Sequence, residues 1–263
     1  MRSAEPALMA RLRHSDWPDR VWIVRHGQSA GNVARDEAEL ASTHLIDIAT
    51  RDADTPLSEL GHEQSRALAA WFADLPEAQR PNVLLTSPFL RAQQTVHAVA
   101  DALGIDRSDI GLDERLREKE FGVLDRYTVA GIKVHFPDLA EQRASVGKFY
   151  FRPPGGESWC DVILRLRSVT EVLRRDHVGD RVLIVAHQVI VNCFRYLLEC
   201  MDEAQILAID READVPNCSI TEYAIDRADP DGRFQLQVAN LALPLLEAGA
   251  AVTEASDAPG GPR

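Results

Sequence analysis

A chain of 263 residues with 45% hydrophobic content can bury a sizeable core, as one large α/β domain or two small ones. Its 29 Lys and Arg against 41 Asp and Glu give a net charge of −12, which argues against nucleic acid or an anionic membrane as partner. A local cluster of arginines in such a chain is correspondingly informative, because it must override the global field to hold an anion.

Residues 1–20 mix Arg11, Arg13, His14, Asp16 and Asp19 with short apolar stretches and read as an N-terminal extension. They hold no signal-peptide apolar core, and no apolar run of roughly 18 residues occurs anywhere, so a cytoplasmic protein is expected. Val21-Trp22-Ile23-Val24 is an unbroken apolar run, the pattern of a strand buried on both faces. It stops at Arg25-His26-Gly27, followed by Gln28, Ser29, Gly31 and Asn32. A buried strand thus delivers a cation and an imidazole into a glycine-containing turn at its carboxyl end, where open α/β sheets bind ligands. A short helix is expected over 33–41. Residues 42–56 have little periodicity and carry Asp47, Arg51, Asp52 and Asp54; a loop this long inside a compact domain is often functional.

Leu60, Leu68, Trp71, Phe72 and Leu75 form a helical stripe, with Ser58 as N-cap and Pro76 as the stop. A second buried strand is expected at 82–86, then a helix opened by Ser87-Pro88 and closed by Gly104, with the proline in the first turn. A weak strand at 110–112 precedes the charged run DERLREKE. Residues 121–156 break the rhythm: helix candidates at 128–136 and 137–145, the cluster Phe149-Tyr150-Phe151, then Pro153-Pro154-Gly155-Gly156. That composition suggests a helical and loop cap inserted over the sheet edge. A long amphipathic helix at 158–175, the strand RVLIVA at 181–186, helices at 189–198 and 202–209, and strands near 219–226 and 234–239 complete a domain over 21–247. Residues 248–263, rich in Ala, Gly and Pro, are expected to be a disordered tail. Strands alternating with helices imply a three-layer α/β/α sandwich around a mostly parallel sheet. Cys160, Cys193, Cys200 and Cys218 have no metal-type spacing and read as reduced, mostly buried thiols.

The three best strands end in Arg25-His26, in Thr86-Ser87-Pro88 with Arg91 one turn on, and in His187-Gln188. Parallel strands put these ends on one side of the sheet. With a helix following each, the expected pocket holds two arginines, two histidines and helix N-termini, and no negative group: a site for a phosphate dianion. Planar guanidinium groups hold phosphoryl oxygens, a neutral imidazole attacks phosphorus, and a carboxylic acid protonates the leaving oxygen. Glu118 is a candidate for the acid, although Asp113, Glu114 and Glu120 sit in the same charged run. The other histidines form no H-x-H or H-E-x-x-H pattern, so neither a metal nor another cofactor is expected.

RHGQSAGN at 25–32, LSELGHEQS at 57–65, SPFLRAQQT at 87–95, LREKEFG at 116–122 and VAHQ at 185–188 together resemble the histidine phosphatase superfamily, also called phosphoglycerate-mutase-like. The resemblance implies that His26 is the nucleophile, that Arg25, Arg91 and His187 are phosphate ligands joined by Asn32, and that Glu118 is the proton donor. GKFYFRPPGGES at 147–158 is similar to a phosphatase branch of that superfamily. His187 is followed by Gln188 where mutases usually carry Gly-Gly, and the mutases' basic insertion has no clear counterpart between Tyr127 and Gly156. Both departures favour hydrolysis.

The expectation is therefore a metal-independent phosphomonoesterase acting on a small phosphorylated metabolite. Gln188 would join the phosphate pocket, and Lys148, Tyr150 and Arg152 would contact substrate if the insertion roofs it. The rivals are a phosphoglycerate-type mutase and a non-catalytic phospholigand-binding protein. Oligomeric state stays open, with a homodimer as one option.

Overall fold

In a computed structural model, which describes residues 17–226 and 234–254, the run at 21–24 becomes β1 (Arg20–Arg25), the middle of the architecture. It pairs in parallel with β4 (Arg181–Ala186) and antiparallel with β5 (Ile220–Ile225). Beyond β4 lie β2 (Val83–Thr86) and the short β3 (Gly111–Leu112), both parallel to it, and β6 (Phe234–Leu241) pairs antiparallel with β5. The order is β3-β2-β4-β1-β5-β6, and only β5 runs against the rest.

Both faces of this sheet are covered, which explains the unbroken apolar strands. Val21, Ile23, Val182 and Ile184 share one core with Leu166 and Val169 of α6 (Trp159–Asp176) and Ile190 and Phe194 of α7 (Gln188–Leu198). Trp22, Val24, Leu183 and Val185 point the other way, onto Leu68 and Phe72 of α2 (Glu59–Asp74) and Val96 and Val99 of α3 (Leu90–Leu103). The expected α/β/α sandwich is what the chain forms. No helix among the described residues is long and apolar enough to cross a membrane.

Several local expectations are corrected. Pro88 lies before α3, not in its first turn: the helix starts at Leu90, and the Ser87 hydroxyl accepts the Phe89 N–H at 3.2 Å in a turn that precedes it. Only β4 passes straight into its helix; β1 reaches α1 (Ala30–Leu40) through residues 26–29. The N-terminal extension is integrated where it is described, because Trp17 is buried edge-on against Phe234; residues 1–16 lie outside the described part. Part of the expected disordered tail is docked. After α9 (Leu243–Ala248), Ala250 and Val252 pack on the α2–α3 core and the Asn217 N–H donates to the Thr253 carbonyl at 2.8 Å, while 255–263 are outside the described residues. Of the four free cysteines only Cys193 and Cys218 are buried.

The insertion folds as α4 (Val129–His135) and α5 (Pro137–Val146) on a small cluster of Leu124, Ile132 and Phe151. It is joined to the 42–56 loop rather than standing alone over the sheet edge. The Ile46 N–H donates to the Arg126 carbonyl at 2.8 Å, and the Thr128 hydroxyl to the Thr43 carbonyl at 2.7 Å.

Candidate active site

At the carboxyl end of β1 the backbone of His26 is fixed from both sides. Its N–H donates to the Ala186 carbonyl at 3.0 Å, and its carbonyl accepts from the Asn217 side-chain amide at 2.9 Å. The ring is fixed as well. Nδ1 lies 2.7 Å from the Gly27 carbonyl, which can only accept, so Nδ1 carries the proton. Arg91 Nε, always a donor, reaches Nε2 at 3.2 Å, so Nε2 presents its lone pair. The result is a neutral imidazole of one defined tautomer, aimed at a guanidinium.

His187 caps α7 and meets His26 edge to face, with ring centroids 5.1 Å apart. Its Nε2 is 2.8 Å from the Ser87 hydroxyl, and Phe89 packs on its ring at 5.2 Å. Arg91, in the first turn of α3, lies 5.1 Å over the Phe89 ring. Arg25 is fully buried, with Nη1 donating to the Val215 carbonyl at 2.6 Å. Its charge, with a Ser65 hydrogen bond, offsets only part of the burial that pushes the Cys218 thiol up to about 12. Glu118 is buried on the α7 side, where its charge acts on Cys193, and Oε1 accepts the Lys119 N–H at 2.7 Å. Burial drives the Lys119 amine down to about 8, against the pull of Glu118 and Glu157.

The family model of the histidine phosphatase superfamily (branch 1) matches residues 21–237, most of the chain. The chain belongs to the histidine phosphatase superfamily. Among relatives, the 2,3-bisphosphoglycerate-dependent phosphoglycerate mutase of Sinorhizobium fredii is 28% identical over 74% of this chain and 86% of its own length. The 6-phosphofructo-2-kinase/fructose-2,6-bisphosphatase of Caenorhabditis elegans is 29% identical over 67% of this chain and 33% of that longer protein. Among solved structures, a mycobacterial glucosyl-3-phosphoglycerate phosphatase in complex with inorganic phosphate superposes with a TM-score of 0.63 at 25% identity, covering 85% of this chain and 98% of that one.

Within this histidine phosphatase fold the other expected site residues are placed unevenly. Asn32 has its side-chain oxygen engaged by the Ser29 N–H and hydroxyl in a capping box, and it lines a cleft together with Arg91. The Gln188 amide donates to Asp214 at 2.6 Å. Lys148 pairs with Asp210 on α8 (Glu203–Glu212), Arg152 lies 3.2 Å from Asp161 on α6, and Tyr150 is exposed on the Phe149 ring. None of these three lines the cleft, whose walls come instead from 46–55 and 125–126.

The cleft is small, about 70 Å³, and lies between α1, the 42–56 loop and the start of the insertion. Contrary to the expectation of a site without negative groups, the Asp52 carboxylate sits 2.9 Å from Arg91 Nη1. Asp125 lines the same cleft, and burial followed by the Asp52 charge holds its carboxyl above the usual range. Asp52, Ser87 as the His187 partner, and Asn217 are the contacts that sequence reasoning missed. The first lies in a loop flagged only by its length, and the last arrives from the far end of the chain.

Proposed function

We propose that the protein is a phosphomonoesterase that hydrolyses a small phosphorylated metabolite through a phosphohistidine on His26. The observation that carries this reading is the His26 ring: Nδ1–H on the Gly27 carbonyl leaves the Nε2 lone pair facing Arg91. In the proposed first step Nε2 attacks phosphorus and the bond to the ester oxygen breaks. The leaving oxygen takes a proton from Glu118. Positive charge developing on the imidazole is stabilised through Nδ1–H, while Arg25, Arg91 and His187 take the phosphoryl oxygens. Glu118, now a carboxylate, takes a proton from water as that water attacks the phosphohistidine, releasing inorganic phosphate and restoring both groups. Two guanidinium groups supply the charge that phosphoryl transfer needs, so no step is assigned to a metal.

The test is His26→Ala. Turnover of p-nitrophenyl phosphate disappears, together with the acid-labile, base-stable phosphate that the native chain carries after mixing with substrate. Substantial remaining turnover sinks the mechanism. The phosphoglycerate mutase relative favours a second reading, transfer back to another hydroxyl of the substrate. Isotope from labelled phosphoglycerate appears as free phosphate for a phosphatase and on the second hydroxyl for a mutase.

A further inference from the structure

Asp52 is assigned no role by the reaction just described, yet both its carboxylate oxygens and its main-chain carbonyl contact Arg91. A guanidinium has two usable edges: the end-on pair Nη1/Nη2 and the side-on pair Nε/Nη2. Asp52 occupies the end-on edge. Its Oδ1 lies 2.9 Å from Nη1 and its Oδ2 accepts from Nη2 at 3.3 Å. Its main-chain carbonyl adds a third acceptor, 2.6 Å from Nη1. Both hydrogens of Nη1 are thereby matched by acceptors on one residue, and the remaining side-on edge is the one turned toward His26, with Nε 3.2 Å from Nε2.

The acceptor is itself held in place. Asp52 opens a 3-10 turn closed by the Thr55 N–H on the Asp52 carbonyl at 3.2 Å. The Thr55 hydroxyl donates to the Arg51 carbonyl at 3.1 Å, and Arg126 Nη2 to the Thr50 carbonyl at 2.8 Å. Leu57 N–H is tied to the Gln94 side chain of α3, the helix that carries Arg91, at 2.8 Å. The loop is thus tethered to the helix that carries the arginine. Arg91 is 3% exposed and Asp52 47%, so the carboxylate reaches inward from a solvent-facing turn.

We infer that Asp52 is a positioning residue that holds the end-on edge of Arg91, so that the side-on edge stays aimed at the phosphoryl group on His26. This rests on the phosphohistidine reading above. It gives the 42–56 loop a role in rate rather than in covering the substrate.

The experiment uses the full chain, p-nitrophenyl phosphate and orthovanadate, with Asp52→Asn, Arg91→Ala and the double variant. Asp52→Asn lowers kcat by roughly 10–100-fold, the scale on which a misplacement of about 1 Å acts. KM stays within about threefold, because ground-state binding is largely retained. Orthovanadate inhibition weakens in step with kcat/KM, a response that a loop with a purely structural role does not give. In the Arg91→Ala background, Asp52→Asn changes kcat by less than about twofold, since its effect runs through the missing arginine. Asp52→Glu, which keeps the carboxylate, recovers part of the rate and stands in if the Asn variant folds poorly. Unchanged kcat in Asp52→Asn, or the same fold loss with and without Arg91, overturns the inference. A rise in kcat/KM overturns it too, marking the contact as a plug. If the native chain gives neither turnover nor phosphohistidine, the functional reading falls and takes this inference with it; native turnover with an indifferent Asp52→Asn removes the inference alone.

Discussion

Gly61 offers the sharpest mechanical test of how α2 supports the active-site turn. A Cβ built on it would lie 1.9 Å from the Gln28 carbonyl oxygen, 2.9 Å from its carbon and 3.1 Å from its nitrogen. All three are backbone atoms, so no side chain can swing away, and Gly61→Ala forces α2 and the 26–28 turn apart by about 1.5 Å. That displacement breaks a specific set of bonds. Ser58 N–H and hydroxyl donate to the Gln28 carbonyl at 2.9 and 3.2 Å, and Gln28 N–H donates to the Gln64 side chain at 2.8 Å. At about 1 kcal/mol per hydrogen bond, with 1–3 kcal/mol of overpacking, the loss far exceeds the ~1 kcal/mol that alanine gains in helix propensity. The expected net is about 3–5 kcal/mol, or a fall in Tm of roughly 6–20 °C for a domain of this size. The same turn presents the Gly27 carbonyl to His26 Nδ1, so kcat should fall by about 10² through misalignment. Calorimetry and p-nitrophenyl phosphate turnover read both effects. A variant that melts with the native protein and turns over normally would refute the reasoning.

Arg91→Ala should lower kcat by about 10²–10³, the scale for one lost partner of transition-state charge, and Arg91→Lys should recover little because an ammonium cannot form the side-on fork. Equal kcat in the lysine variant would count against bidentate phosphoryl contact. Lys119→Met should be more stable than the native chain at pH 7, because the native amine has a folded pKa near 8 against 10.5 when exposed. The unfolded chain binds the extra proton between those values, so native stability rises with pH across that window and the variant's advantage, up to about 3 kcal/mol, fades by pH 10.5. Urea unfolding at several pH values checks the trend, and a gap independent of pH contradicts it. Ending the chain at Gly249 removes the Thr253 carbonyl from Asn217 and the Ala251 carbonyl from Gln64, at 2.8 Å each. Since Asn217 holds the His26 carbonyl, both Tm and kcat should fall; a truncated chain of unchanged kcat would show that the strap is only structural.

The sheet was legible because Val21–Val24 and RVLIVA are short apolar runs buried on both faces, as central strands are. The convergence of His26, Arg91 and His187 followed from parallel strand ends, which is topology and so readable from element order. Contacts from irregular backbone were not readable. Asp52 reaches Arg91 through a 3-10 turn with no periodic signature, and Asp54 two positions later turns instead to Arg51. Lys148 and Arg152 looked suited to an anionic substrate by composition, but Asp210 and Asp161 take them. Which carboxylate a basic side chain meets depends on helix placement, and local sequence does not encode that. The tail misled for a related reason: Ala, Gly and Pro signal low intrinsic order, while its docking depends on backbone acceptors offered to Gln64 and Asn217.

The central position of β1 also constrains how the molecule is made. Its two neighbours, β4 and β5, lie 181–225 in the chain, and the partner of the His26 carbonyl is 191 residues away. A chain emerging from the ribosome therefore holds VWIV without a sheet to join until most of its length has appeared. Pairings of such sequence separation are slow to form, and the waiting apolar strand is the segment most open to wrong association. Completion of the His26 turn is thus tied to late synthesis, and chaperone demand should be greatest while residues before β4 stand alone.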